Sequence, residues 1–415
     1  MPTPIAWLRR FGVATAVAAL GAPAWAEPAP SFPALLAQAQ ASAPRIAEAE
    51  AGVRQAEGEA YQAQARPNPT ASLQSENFAG TGPFSGVAGA QTTLQLSQPF
   101  ELGGKRPARI AAGAAGLEAA KARLAQARAD FAHDLALAYL DAEGDARRVS
   151  FAEETVALAQ EDERVARALV DAGRDAELRG VQARAAVTAA GADLEAARAE
   201  AAAALSRLTA LAGATAPYTS LQPALLARAG QGSAAPAVDI LSTPAVLAAQ
   251  ADREAAARRV RVEQTRGTPD VTVSVGIRRL GYEDATAVVA GVSAPIPVFD
   301  RNRGAVSAAQ AERAAAEARL NAARLDAEAE LRVSGGQLAA AGARVGAARE
   351  NEAAAEEAYR LSRLGYEGGK LPLNEVLTAR RGLADARSRT LDAQLARLRA
   401  EAGLARLQGR APFGD

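Results

Sequence analysis

VTVSVGI, Val271 to Ile277, alternates without a fault: Val271, Val273, Val275 and Ile277 fall on one face, and Thr272, Ser274, Gly276 and Arg278 on the other. On the return, Val288, Ala290, Val292, Ala294 and Ile296 repeat the apolar face. A weaker hairpin lies upstream, with Ala71 and Leu73 outbound, Leu94 and Leu96 returning, and a loop around Gly80 to Phe84. Strands of about ten residues, apolar on one face and polar on the other, carry the pattern of a transmembrane barrel. Four strands do not enclose a lumen, because the smallest membrane barrels use about eight, so several chains must contribute.

Each hairpin is flanked by helix. Pro67 and Pro69 end a leading helix predicted over Ala34 to Ala65, since proline breaks the hydrogen-bond ladder and pushes its predecessor out of the helical region. A far longer helix is predicted from about Pro107 to Val170, with a proline in the first turn where its missing N–H costs nothing. At ~1.5 Å per residue it spans ~96 Å, more than most globular domains measure. Leu117, Leu124 and Phe131 recur at seven, and Leu135, Ala142, Val149 and Val156 continue the period after a four-residue step. Leu331, Leu338 and Val345 mark the same phase in a second long helix. This is coiled-coil spacing with small seam residues, suited to helices packed side by side. A soluble coiled-coil rod shares that period, and the alternating strands argue against it.

Composition narrows the function. Lys plus Arg and Asp plus Glu number 47 each, so no net field attracts nucleic acid. Only 4% of residues are aromatic, so the core is expected to be alanine-rich and closely approached. The single histidine, His133, falls mid-helix, which rules out a catalytic arrangement needing two histidines and a His-rich metal cage; it reads as a surface or inter-helix residue. There is no cysteine, and Met1 is the only methionine, so soft ligands for tight copper or silver binding are missing. The expectation is a conduit with no catalytic residue, resident metal or cofactor. Alternating charges such as Glu312-Arg313 and Arg324, Asp326, Glu328 read as solvated ion pairs. At the N-terminus, Arg9-Arg10, the apolar run Phe11 to Ala22 and Ala24-Trp25-Ala26 read as a signal peptide over residues 1–26, followed by a chain exported from Glu27.

The chain also duplicates itself. QARPNPTASL from Gln64 faces QTRGTPDVTV from Gln264 at an offset of 200. After the following turn the offset becomes 196: SQPFELGGKR from Ser97 faces SAPIPVFDRN from Ser293, Asp171-Ala-Gly-Arg174 faces Glu367-Gly-Gly-Lys370, and Gln182-Ala-Arg184 faces Thr378-Ala-Arg380. Repeat 1 is assigned to about 33–211, a linker to about 212–236, and repeat 2 to about 237–408.

The duplicated layout, the signal peptide and the paired tip turns resemble the TolC family of outer-membrane efflux channels. QPFELGGKR, Gln98 to Arg106, is similar to the corner found in its cobalt-zinc-cadmium and related heavy-metal branch. The resemblance implies a mostly α subunit with a pair of membrane β-hairpins. Three such subunits, a homotrimer, form a twelve-stranded barrel in outer-membrane lipid and a periplasmic helical tunnel. It implies a periplasmic adaptor and an inner-membrane RND-type pump as partners, with divalent heavy-metal cations passing through. A conduit for type I protein secretion or drug efflux shares the architecture. A periplasmic adaptor is a further alternative, but it is expected to carry one helical hairpin, and this chain shows two.

Three site expectations follow. Glu101, Gly103, Gly104, Lys105 and Arg106 form the corner where strand turns into helix, with paired glycines supplying unusual backbone angles and the basic pair near the inner headgroups. A phosphate-loop reading of GGKR fails, since Pro99 stands where the first glycine belongs and Arg106 follows the lysine. Asp171, Gly173, Arg174, Glu367, Gly369 and Lys370 form two tip turns, where the family meets its adaptor. The family's acidic ring falls on Glu375, with Arg179 at the equivalent position of the first repeat and Thr378 where a second acidic residue would stand.

Overall fold

The computed structural model describes residues 27–222, 225–229 and 238–413; the expected signal peptide lies outside them. The first half runs β1 (Glu27–Ala29), α1 (Phe32–Ser42), α2 (Pro44–Gln62), β2 (Thr70–Glu76), β3 (Gln91–Phe100), α3 (Lys105–Asp171) and α4 (Glu177–Ala212). After β4 (Tyr218–Leu221) and the one-turn α5 (Leu225–Arg228), the second half repeats the order with α6 (Pro244–Arg266), β5 (Val271–Leu280), β6 (Ala285–Ser293), α7 (Arg303–Glu367) and α8 (Leu373–Leu407).

The two hairpins form one antiparallel sheet in the order β2-β3-β5-β6. Its register puts Leu73 opposite Leu94, Leu94 opposite Ile277 and Ile277 opposite Val288, a continuous apolar row across all four strands. Leu73, Val288 and Val292 are each more than 70% exposed on this face. The outer strands β2 and β6 are paired on one side only.

Beneath the sheet stand α3, of 67 residues, and α7, of 65. At ~1.5 Å per residue each is ~100 Å long. The helix α3 packs against α2, α4, α6 and α8, and α7 packs against α6 and α8. In α3 the expected seam is buried at Phe131, Leu135 and Ala142. In α7 Val345 of the expected seam is buried, while Leu331 and Leu338 are only half-buried and a second stripe four residues earlier, Ala327, Ser334 and Ala341, is buried beside it. Small residues take the closest-approach positions there, and the leucines flank them.

The structure differs from one expectation and adds to another. The leading helix is broken at Ala43, whose extended backbone (φ −66°, ψ 128°) is what the following Pro44 imposes. The segment expected as a linker contains β4, which pairs in parallel with β1 to make a second, two-stranded sheet. That small sheet borders the largest apolar cluster. Phe32 packs edge-on against Tyr139 and Phe413 at 5.7 and 5.5 Å, within a core that includes Leu35, Leu135, Leu208 and Leu395. Close approach is enforced at Gly144, where a Cβ would sit 2.7 Å from Leu395.

Candidate functional site

At the end of α3 and α7 farthest from the sheet, both helices close with the same device. The Gly173 N–H donates to Val170 O and the Arg174 N–H to Leu169 O, at 2.9 and 2.8 Å. The Gly369 N–H donates to Tyr366 O and the Lys370 N–H to Gly365 O, both at 2.8 Å. These are paired Schellman bonds, and they require a left-handed residue after the helix, which Gly173 (φ 69°) and Gly369 (φ 71°) provide. The two turns touch: Tyr366 Oη donates to Asp175 at 3.1 Å, and a Cβ on Gly369 would lie 3.4 Å from the Arg174 guanidinium. Asp171, Glu367 and Lys370 are exposed around them, and Glu367 accepts from Arg363 at 3.0 Å.

The acidic position is at the start of α8. Glu375 is exposed in its first turn, where the helix dipole favours a carboxylate, and Thr378 is exposed one turn later. Half-buried Arg179 donates to Asn374, the residue before Glu375, at 3.1 Å, and to Gln182 at 3.0 Å. Within one chain Arg179 is engaged by Asn374 and Gln182, and no Arg179–Glu375 pair is formed.

Behind this surface lies a cluster that sequence reasoning missed. Asp162 and Arg380 are buried to 3% and 7% exposure, and Arg380 Nη1 donates to Asp162 at 3.1 Å. Tyr359 Oη donates to the other carboxylate oxygen at 3.2 Å. Burial raises the Asp162 carboxyl above its ordinary 3.8, outweighing the attraction of Arg380 and the Tyr359 hydrogen bond, both of which favour the anion. Burial, then the Asp162 charge, pushes the Tyr359 hydroxyl up to about 12. Arg363 donates to neighbouring Glu161 at 2.8 Å. The cluster joins α3 to α7 and α8, so it ties the first repeat to the second just above the tip. The available signal was the repeat alignment itself, which marks Arg380 as the counterpart of Arg184 but does not reveal its partner.

The corner next to the sheet is built as expected in backbone and differently in side chains. Gly103 (φ 69°) and Gly104 (φ 79°) both adopt left-handed geometry, and a Cβ on Gly103 would fall 2.5 Å from the Thr268 hydroxyl. Glu101 pairs with Arg109. Lys105 is turned inward to Asp270 at 2.7 Å, and Arg106 donates to Gln64 O at 3.0 Å. Both basic groups therefore lock the two repeats and the leading helix to the corner. In the second repeat Asn302 takes the left-handed position (φ 57°), with its amide donating to Glu263 O at 2.7 Å. His133 is half-buried along α3. Among the described residues no group of three or more His, Cys, Asp or Glu side chains gathers as for a metal ion.

This architecture has known counterparts. The solved structure of CusC superposes with a TM-score of 0.78 at 18% identity, over 91% of this chain and 92% of that one. The outer membrane protein VceC from Vibrio cholerae superposes with a TM-score of 0.74 at 22% identity, over 92% and 96%. In sequence, the nickel-cobalt-cadmium resistance protein NccC of Alcaligenes xylosoxydans xylosoxydans is 45% identical over 98% of this chain and 92% of its own length. The nickel and cobalt resistance protein CnrC of Cupriavidus metallidurans is 46% identical over 93% and 92%. The cobalt-zinc-cadmium resistance protein CzcC of the same organism is 33% identical over 72% of each chain. The outer membrane efflux protein family matches residues 35–214 and 240–410. On these matches the chain belongs to the outer membrane efflux protein family, as a channel protein of the outer membrane.

Proposed function

We propose that this chain is one subunit of a homotrimeric conduit that carries divalent heavy-metal cations, nickel and cobalt among them, out of the cell as the outer-membrane part of a tripartite efflux system. The observation that carries the trimer is the four-stranded sheet with one-sided edges on β2 and β6. Three copies joined edge to edge give twelve strands, an even number within the range of membrane barrels, with the apolar row against outer-membrane lipid. The cargo is drawn from the relatives named for nickel, cobalt, cadmium and zinc resistance. The chain supplies the passage, while a periplasmic adaptor and an inner-membrane RND-type pump supply recognition and energy.

In this reading the residues 1–26 direct export, the two repeats of about 33–211 and 237–408 each give two strands and two tunnel helices, and the turns at Gly173 and Gly369 receive the adaptor. Three Glu375 side chains face one another at the narrowed tip and draw cations in. With Thr378 in place of a second carboxylate the ring is single. The test is complementation of a strain lacking the gene, scored by growth in nickel and cobalt, with crosslinking of intact outer membranes. Resistance restored together with a trimer-sized product supports the proposal. Crosslinking that yields monomers only overturns the trimer, and restored tolerance to drugs but not to metals overturns the cargo. For the gate, Glu375→Gln is expected to lower cation preference in planar bilayers and Arg179→Ala to raise resting conductance; if both stay at parent values, the constriction lies elsewhere.

A further inference from the structure

The polar face of the sheet carries a charge pair that none of these roles uses. Following the register from Thr70 to Ser293, the strand residues on this face are hydroxyl, amide, small or apolar, with two charged exceptions, Glu76 on β2 and Arg278 on β5. Arg278 stands opposite Thr93 of β3, and Thr93 stands opposite Gln74. Its Nε donates to the Thr93 hydroxyl at 2.9 Å, and its Nη2 reaches across β3 to within 3.9 Å of Glu76. Thr93, although on a strand face, is only 5% exposed beneath the guanidinium.

The other side of Arg278 is stripped of bulk. Its register partner on β6 is Ala287, and Gly276 precedes it by two residues on the same face. Gly276 itself admits no side chain, since a Cβ would lie 2.5 Å from Leu94 O. The guanidinium is thus laid toward β2, over Thr93 and toward Glu76, near the end of the sheet where the two hairpins turn.

We infer that Glu76 and Arg278 are specificity-determining residues of the barrel: a self-neutralised charge pair, repeated in each subunit, that keeps the outer part of the passage open to cations. The inference rests on the reading of the sheet as part of a closed barrel with its polar face inward. An unpaired arginine from each subunit would place a positive ring in a lumen otherwise free of strand charges and repel the outgoing ion. Glu76 cancels that field, and Thr93 positions the arginine so that the cancellation is fixed. The pair serves passage without binding the cargo, because Glu76 is engaged and no second carboxylate stands beside it on the face.

The experiment is reversal potential in planar bilayers across a potassium chloride gradient, using the purified full-length protein. Glu76→Gln unmasks the arginines and is expected to reduce the potassium-to-chloride permeability ratio several-fold. Arg278→Gln unmasks the glutamates and is expected to raise it several-fold. The double variant returns to near the parent ratio, and Arg278→Lys, which keeps the charge, stays near it as well. Thr93→Val, which keeps both charges but frees the arginine, shifts the ratio the same way as Glu76→Gln and by less. If parent and variants all form channels and both single Gln variants keep the parent ratio, or move it in the same direction, the inference is overturned while the barrel stands. If the parent protein itself, crosslinked and extracted, forms no channel, the barrel reading falls and the inference with it.

Discussion

Arg184 and Arg380 occupy equivalent positions in the two repeats, and the structure gives them opposite environments. Arg184 of α4 is exposed, 3.6 Å from a Glu163 carboxylate on the adjacent α3. Arg380 of α8 is buried against Asp162, which also lies on α3 but belongs to the other repeat. The difference comes from the neighbours of each helix: α8 packs against both α7 and α3, whereas α4 packs against α3 and, at its far end, against α1 and β4. A duplicated sequence has therefore been folded so that one copy of an arginine closes the junction between repeats and the other remains at the surface. Strength follows from that. Breaking a buried pair leaves an uncompensated charge, while exposed pairs contribute little.

The largest expected effect is on the buried member. Arg380→Ala should destabilise the tip by about 3–5 kcal/mol, because the buried Asp162 carboxylate loses its arginine and keeps only the Tyr359 hydrogen bond. Limited proteolysis between α7 and α8, together with the thermal midpoint in detergent, reads it; parent-like protection would dissolve the contrast between the two arginines. Replacing both groups with apolar residues of similar size, Asp162→Leu with Arg380→Met, is expected to recover most of that loss, since a buried ion pair is often no better than well-packed hydrophobic side chains. A double variant as labile as Arg380→Ala would mean that the pair contributes through the specific Tyr359 hydrogen bond.

The pH response sharpens the same contrast on a smaller scale. The folded chain holds the Asp162 proton more tightly than the unfolded chain does, because its carboxyl is raised above 3.8. Stability from this group therefore rises as pH falls from the raised folded value toward 3.8 and is lost as pH climbs back through that window, with no further change above it. Asp162→Asn should remove this component, so the parent-minus-variant midpoint should decline with rising pH; a difference that increases with pH would reverse the sign of the burial argument. The smallest effect is expected for Arg184→Ala, within about 0.5 kcal/mol of the parent as for most exposed charges. A loss as large as that of Arg380→Ala would show that α4 is covered at Arg184 when subunits assemble, and that the asymmetry belongs to the isolated chain alone.

Much of the architecture was legible because the signals were local. Alternation at Val271 to Ile277, heptad spacing beyond Pro107 and the glycines at 173 and 369 each act through their own few residues, and the structure keeps β5, α3 and both helix stops close to where they were expected. Pro44 was equally local and was overlooked, although its effect on Ala43 is of the same kind as that of Pro67 on its predecessor. The corner was legible in its glycines and not in its charges, since Lys105 finds its partner at Asp270, 165 residues away.

What the sequence determined by itself was the length and period of each element and the places where helix must stop, because backbone sterics and side-chain periodicity are set within a turn or a strand. What only the tertiary structure decided was which equivalent side chain is buried and whom it meets. The parallel pairing of Glu27–Ala29 with Tyr218–Leu221, the edge-to-face stack of Phe32 on Tyr139 and Phe413, and the Asp162–Arg380 pair all join residues more than a hundred positions apart. Their partners are set by how α3 threads between α2, α4, α6 and α8, and by the desolvation that this packing imposes, neither of which is written in any single stretch of the chain.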